Sequence, residues 1–192
     1  TDLHEFCNRM VDTDLKTAYR EFWSHRGVTL SDNDDNLSPY NDELKGIPRV
    51  TVKVPTAGGK TFIACNAVKT IYDHYSEGTP KIVAWFVPSD ASLEQTYKNI
   101  CNPQHPYRQK LDVMFSSRVQ VSNKQQLLQG QGFNPKTKAD CITICVFSIQ
   151  SFATRSKEGR LVYRENGALL AFEPMLRNAG INFSEFEHPS LL

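Results

Sequence analysis

The stretch Val54-Pro55-Thr56-Ala57-Gly58-Gly59-Lys60-Thr61, VPTAGGKT, decides how this chain is read. Glycines let a backbone curl so that several N–H groups point inward at one anion. The lysine that follows can reach the outer phosphates of a nucleotide, and the threonine hydroxyl can hold Mg2+. Such a cradle works where a strand gives way to a helix, because the helix N-terminus then faces the anion. The flanking sequence has that grammar. IPRVTVKVP, residues 47–55, is rich in β-branched residues and closed by Pro55, which predicts a strand. KTFIACNAVKTIYDHY, from Lys60, carries Phe62, Ala64, Cys65, Val68, Ile71 and Tyr72, which predicts a helix. Val54 stands where the strict pattern has its first glycine. The bland alternative is a Gly-Gly turn followed by a chance Lys-Thr.

Working outward, Leu15, Ala18, Tyr19, Phe22 and Trp23 recur at helical spacing, so residues 3–26 read as helical with Gly27 as the stop. Residues 31–46 are acidic and rich in Asn, Asp, Ser and Pro, the composition of a loop or linker. The organisation read from this is a helical extension and linker over 1–45, then a nucleotide-binding domain over 46–192. Downstream, KIVAWFVP is a wholly apolar strand, expected to be buried on both faces. SDASLEQTYKNI reads as a helix with Ser89 or Asp90 as N-cap. NPQHPYR interrupts with two prolines, RVQVS and CITICVFS are further strands, and RLVYRENGALLAF reads as a hairpin around Asn166-Gly167. Strands alternating with helices predict an α/β fold, a mainly parallel sheet with helices on both faces and the phosphate-loop strand inside it.

The composition narrows the possibilities. With 40% hydrophobic and 22% charged residues, the 192-residue chain can bury a core. A net charge of +1 excludes a strongly basic nucleic-acid binder, so any such contact must be local. Apolar runs such as ITICVF are far too short to span a bilayer, and no leader pattern opens the chain. Five cysteines, an odd number without disulfide-like spacing, point to a reducing cytoplasm. Because the first residue is Thr1 rather than Met, an upstream segment is expected.

The Pro-Thr ahead of the turn resembles the loop of superfamily 2 helicases and translocases. The ordered set is more specific. IPRVTVKVPTAGGKT resembles the opening of the motor domain in the Res subunit of type III restriction enzymes. AWFVPSDASLEQTYKNI, NPQHPYRQKLD, VFSIQSF and SKEGRLVYRENGA are similar to later segments of that family, so the likeness runs from about Tyr40 to Phe172. It implies a RecA-like ATP-binding domain, ATP and Mg2+ as cofactors, double-stranded DNA as substrate and a methyltransferase (Mod) subunit as partner. Lys60 and Thr61 would be catalytic, Thr61 as the Mg2+ ligand, with Thr56, Ala57, Gly58 and Gly59 completing the nucleotide cradle. Pro88, Ser89, Ser148 and Gln150 would lie near the DNA backbone. They follow strand ends, where ligands collect in open α/β sheets. For Ser89 a helix cap is the competing reading. Arg155 and Lys157 could touch phosphate or belong to a solvated hairpin face.

The departures are informative. Hydrolysis in this superfamily needs an Asp-Glu-x-His type motif on an apolar strand, and FSEFEHPSLL, with Glu187-His188, lacks that strand. No second motor domain or nuclease motif is present, and no glutamine precedes Gln95 to read adenine. The expectation is therefore an N-terminal part of a larger motor subunit, incomplete at its C-terminal end and unable to hydrolyse ATP alone. The alternatives are a cellular superfamily 2 helicase or repair translocase, or a phosphate-loop module that never touches DNA.

Other signals fall away. Asp32, Asp34, Asn36 and Glu43 mimic a calcium loop, but Leu37 replaces its required glycine. Cys141 and Cys145 share a strand face and read as core thiols. Cys101 and His105 lack the second pair a zinc site needs, and the five histidines form no nucleophile triad.

Overall fold

The computed structural model describes residues 2–31, 37–42, 47–74, 80–128, 140–152 and Pro174. They belong to two compact units that divide between Ser76 and Glu77, well after the composition change near residue 45.

The first unit opens with two helices, α1 (Asp2–Asp12) and α2 (Leu15–Ser24), where the periodicity predicts one. The break has a local cause. The Asp14 carboxylate accepts the N–H groups of Lys16 and Thr17 at 3.0 and 3.1 Å, capping α2. Thr13 Oγ1 donates back to the Arg9 carbonyl at 3.0 Å. Side chains of this kind compete with the helix ladder. Phe6, Ala18 and Phe22 form the core between the two helices, with Met10, Tyr19 and Trp23 packed around it. The rings meet edge to face, as their quadrupoles favour: Phe6–Phe22 centroids lie 5.9 Å apart at 78°. Arg26 closes this core. Its guanidinium lies 3.7 Å above the Phe22 ring and pairs with Asp2 at 2.8 Å and Glu5 at 2.9 Å. Gly27, with φ of 70°, ends the helical region as expected.

Helix α3 (Lys60–Tyr72) follows the phosphate loop, buries Cys65 and Val68, and packs against α1. Burial pushes the Cys65 thiol up to about 11, so it stays protonated and acts as packing. The expected strand over 47–55 is a correction. These residues take no part in any strand pairing among the described residues, and Ile47, Val50 and Val52 are exposed. β propensity is a fit to a half-buried pleated surface, and without a neighbouring ladder it forms no strand. Among the described residues the segment entering the phosphate loop is therefore chain without a strand partner.

The second unit contains that sheet. Its elements are β1 (Lys81–Val87), α4 (Asp90–Cys101), α5 (Pro106–Met114), β2 (Val119–Ser122), α6 (Lys124–Leu128) and β3 (Ile142–Ser148), then a 3-10 turn over Ile149–Phe152. Among the described residues all pairings are parallel, in the order β1-β3-β2. The fold is α/β, with helices joining parallel strands as in RecA-like domains. Central β3 is buried along its whole length. β1, expected to be buried on both faces, is paired on one side among the described residues and leaves Phe86 53% exposed. The apolar run of β3, and not that of β1, marks the buried strand.

NPQHPYR is also more ordered than its prolines suggest. Pro106 occupies the first turn of α5, where a missing N–H costs nothing, and His105 Nδ1 accepts the Tyr107 N–H at 3.2 Å as the cap. Arg108 then ties three elements. It donates to Asp112 at 2.9 Å, to the Ile100 carbonyl of α4 at 3.5 Å and to the Val119 carbonyl of β2 at 3.2 Å. Ile100 and Leu111 are fully buried.

Candidate phosphate loop and strand-end site

The loop is shaped by two left-handed residues around a crowded glycine. Ala57 has φ of 62° and Gly59 has φ of 72°. Between them, the Gly58 N–H donates to the Pro55 carbonyl at 3.0 Å. A Cβ on Gly58 would meet Val54 Cγ1 at 2.6 Å and the Pro55 oxygen at 3.0 Å, so only glycine fits. Gly59 is the N-cap of α3 and makes no side-chain cap bond. The helix N-terminus is thus left to whatever anion approaches, with no Ser or Asp oxygen held over it. Lys60 turns back so that Nζ donates to the Pro55 carbonyl at 2.9 Å. Thr56 through Lys60 are exposed and Thr61 is half-buried on the first turn. Of the nucleotide-cradle residues read from sequence, Thr56, Ala57, Gly58, Gly59, Lys60 and Thr61 all lie on this one turn and the helix start it feeds. These features fit a nucleotide phosphate: a curled backbone, an open helix terminus and an ammonium within the same turn.

In the second unit, β1 and β3 end side by side, Val87 being the register partner of Ser148. The four residues Pro88, Ser89, Ser148 and Gln150 are therefore brought together at the carboxyl edge of the sheet. Each makes a different contribution. Ser89 Oγ accepts the Ser92 N–H at 3.2 Å and donates to Ser92 Oγ at 3.0 Å, so the cap reading is realised. Ser148 is fully buried. Gln150 is exposed and donates its side-chain amide to the Pro88 carbonyl at 2.7 Å. Arg155, Lys157, the hairpin over 160–172, Glu187 and His188 lie outside the described residues, as do Asp32, Asp34, Asn36 and Glu43 of the calcium-like loop.

Sequence reasoning passed over Tyr40. Its hydroxyl accepts the Arg49 N–H at 2.7 Å and donates to the Ile47 carbonyl at 3.3 Å, and its ring meets Tyr19 at 5.4 Å. The available signal was one aromatic residue within a polar, proline-containing loop. Among the described residues no group of His, Cys, Asp and Glu could hold a metal ion, and no helix is long and apolar enough to cross a membrane.

A parallel α/β sheet in the second unit and a glycine-lysine-threonine loop opening a helix in the first are elements that helicase-type phosphate-loop proteins carry. The family "Type III restriction enzyme, res subunit" matches residues 16–172, and the chain belongs to that family. The matched region is a helicase-type ATP-binding motor domain of an ATP-dependent restriction enzyme subunit. No curated protein and no solved structure matches the chain.

Proposed function

We propose that this chain is the nucleotide-holding part of a DNA-translocating motor, with domain limits near 46–192. The observation that carries the reading is the N-terminus of α3, which follows left-handed Gly59 directly and bears no side-chain cap. Backbone amides from Thr56 to Gly59 would surround phosphate, Lys60 would neutralise the β/γ-phosphates, and Thr61 would hold Mg2+. A bound metal–nucleotide supplies the phosphoryl group to be transferred. To take up that role Lys60 must exchange the Pro55 carbonyl for a phosphate oxygen, a gain in charge complementarity. Double-stranded DNA would follow the carboxyl edge formed by Pro88, Ser89, Ser148 and Gln150, with Arg155 and Lys157 adding charge. A methyltransferase subunit and a cytoplasmic setting complete the proposal. Because no acidic strand motif is present in the sequence, these residues should bind nucleotide without turning it over.

Calorimetry of ATP–Mg2+ against the 192-residue chain tests this reading. Weak binding that Lys60→Ala largely abolishes is the expected result, with no phosphate release above background. DNA-stimulated hydrolysis by the chain itself would refute the incomplete-motor reading. A second reading, a phosphate-loop module that makes no DNA contact, is favoured by the engaged Ser89 hydroxyl and the burial of Ser148. Fluorescence anisotropy with a labelled duplex at low and rising salt separates the two, because phosphate contacts weaken steeply with salt.

A further inference from the structure

The first unit contains a second relationship that the family motifs do not account for. The segment entering the phosphate loop has no strand partners among the described residues, yet its backbone is engaged: Tyr40 bridges Ile47 and Arg49 through its hydroxyl. The Tyr40 ring in turn meets Tyr19, which packs on the core of the α1–α2 hairpin. At the far end of α3, His74 Nε2 is 2.8 Å from Asn8 Oδ1 of α1, and its Nδ1 is 2.8 Å from the Thr70 carbonyl. The His4 ring, also from α1, lies 5.1 Å from the His74 ring. Between these two points α1 packs along α3. The same small helical hairpin therefore grips the phosphate loop and α3 from both sides, before the loop and after the helix. Helix α1 lies outside the family match, which begins at residue 16, so this grip is not a property of the matched region alone.

We infer that the N-terminal helical hairpin is a brace that sets the geometry, and hence the affinity, of the phosphate loop, with Tyr40, Asn8 and His74 as its positioning residues. The physical reason is preorganisation. A loop whose flanks are free must lose backbone freedom when it closes on an anion, and that cost lowers affinity. A flank fixed beforehand by two hydrogen bonds and a packed ring has lost most of that freedom already. Tyr40 is well suited to this, because it has few rotatable bonds and holds two backbone groups with one oxygen. None of the three residues reaches the loop, so their effect must pass through Ile47–Arg49 and through α3.

The inference rests on the phosphate-site reading above, and its test keeps the two apart. Tyr40→Phe removes the hydroxyl and keeps the ring; Asn8→Ala removes the His74 contact. Each is compared with the parent chain and with Lys60→Ala by titration calorimetry with ATP–Mg2+. Asn8→Ala should weaken the dissociation constant by about 3- to 10-fold, the worth of one hydrogen bond, and Tyr40→Phe, which loses two, by at least as much, with stoichiometry unchanged in both. A merely destabilised protein would instead lower stoichiometry and leave the constant of the folded fraction as it was; that result overturns the brace. Unchanged constants in Tyr40→Phe and Asn8→Ala, alongside a large loss in Lys60→Ala, also overturn the brace and leave the phosphate site standing. Hydrogen exchange without nucleotide gives a readout independent of binding. The Gly58 and Ile63 amides, bonded to Pro55 and Gly59, should exchange several-fold faster in Tyr40→Phe. Equal exchange rates would sink the brace even if the chain bound no ATP, and absent ATP binding by the parent chain would overturn the phosphate-site reading.

Discussion

Gln150 and Pro88 are 62 residues apart in sequence, yet the Gln150 side-chain amide donates to the Pro88 carbonyl at 2.7 Å. The bond joins the loops leaving β1 and β3 and fixes the edge on which Ser89 begins α4. It also means that this glutamine can act by holding Pro88 and Ser89 as well as by touching phosphate itself. Gln150→Glu keeps the shape, loses the donor and sets a carboxylate against a carbonyl oxygen. We expect it to weaken duplex binding several-fold at low salt, more than Gln150→Ala does. Anisotropy across a salt series checks this. Equal binding by all three proteins would remove this edge from the proposed DNA path.

A second prediction concerns Thr143, fully buried in the middle strand with no hydrogen-bond partner for its hydroxyl among the described residues. A buried hydroxyl without a partner carries a desolvation cost of about 1–3 kcal/mol. Thr143→Val is nearly isosteric and removes it. The variant should gain about 1 kcal/mol and raise the melting temperature by about 2–4 °C. A drop on thermal denaturation would mean that the hydroxyl has a partner, such as a buried water.

How much of this could be read beforehand depended on whether the signal was local. The αL turn, the start of α3 at Lys60, the Ser89 cap and the strand β3 all follow from short runs whose chemistry acts within a few residues. Ile47–Pro55 misled because β-branched composition reports what a strand would need and says nothing of a neighbour to pair with. β1 misled for a related reason: Phe86 and Ala84 are apolar whether or not a layer covers them. Asp14, which caps α2 and splits it from α1, was passed over because the apolar period runs past it. Tyr40, Arg108 and His74 could not be found from spacing alone, since Tyr19, the Ile100 and Val119 carbonyls and Asn8, which they respectively meet, come from other elements. Their roles depend on tertiary geometry that no window of sequence contains.

The Arg26 cluster gives a pH prediction. The Arg26 and Arg9 guanidiniums hold the Glu5 carboxyl at about 2, below its ordinary 4.5. A carboxyl depressed in the folded state adds stability above its unfolded value and loses it as pH falls through the folded one. Glu5→Gln should therefore melt below the parent protein near pH 7, with the gap closing as pH drops from about 4.5 towards 2. Glu5 is half-exposed, so added salt should also narrow the gap. A gap that persists unchanged at pH 2 would show that the pair does not stabilise the hairpin through charge.

The loop itself offers the sharpest contrast, between neighbouring residues. Ala57 occupies the left-handed region at φ of 62°, where a Cβ costs roughly 1–2 kcal/mol. Ala57→Gly removes that cost and regains part of it as chain entropy in the unfolded state, so a net gain of about 0.5–1 kcal/mol is expected. Gly58→Ala should do the reverse. Its new methyl would meet Val54 Cγ1 at 2.6 Å, which the side chain could relieve by rotating, and the Pro55 oxygen at 3.0 Å, which is backbone and accepts both the Gly58 N–H and Lys60 Nζ. The turn must open to make room, and the ammonium loses its resting place. Paired calorimetry with ATP–Mg2+ should find Ala57→Gly at parent affinity or tighter and Gly58→Ala at least 10-fold weaker, the larger loss following from the opened turn and the broken Gly58–Pro55 hydrogen bond. If both variants bound like the parent, the curl of residues 55–59 would have no part in holding the nucleotide, and the phosphate-loop reading would lose its geometric basis.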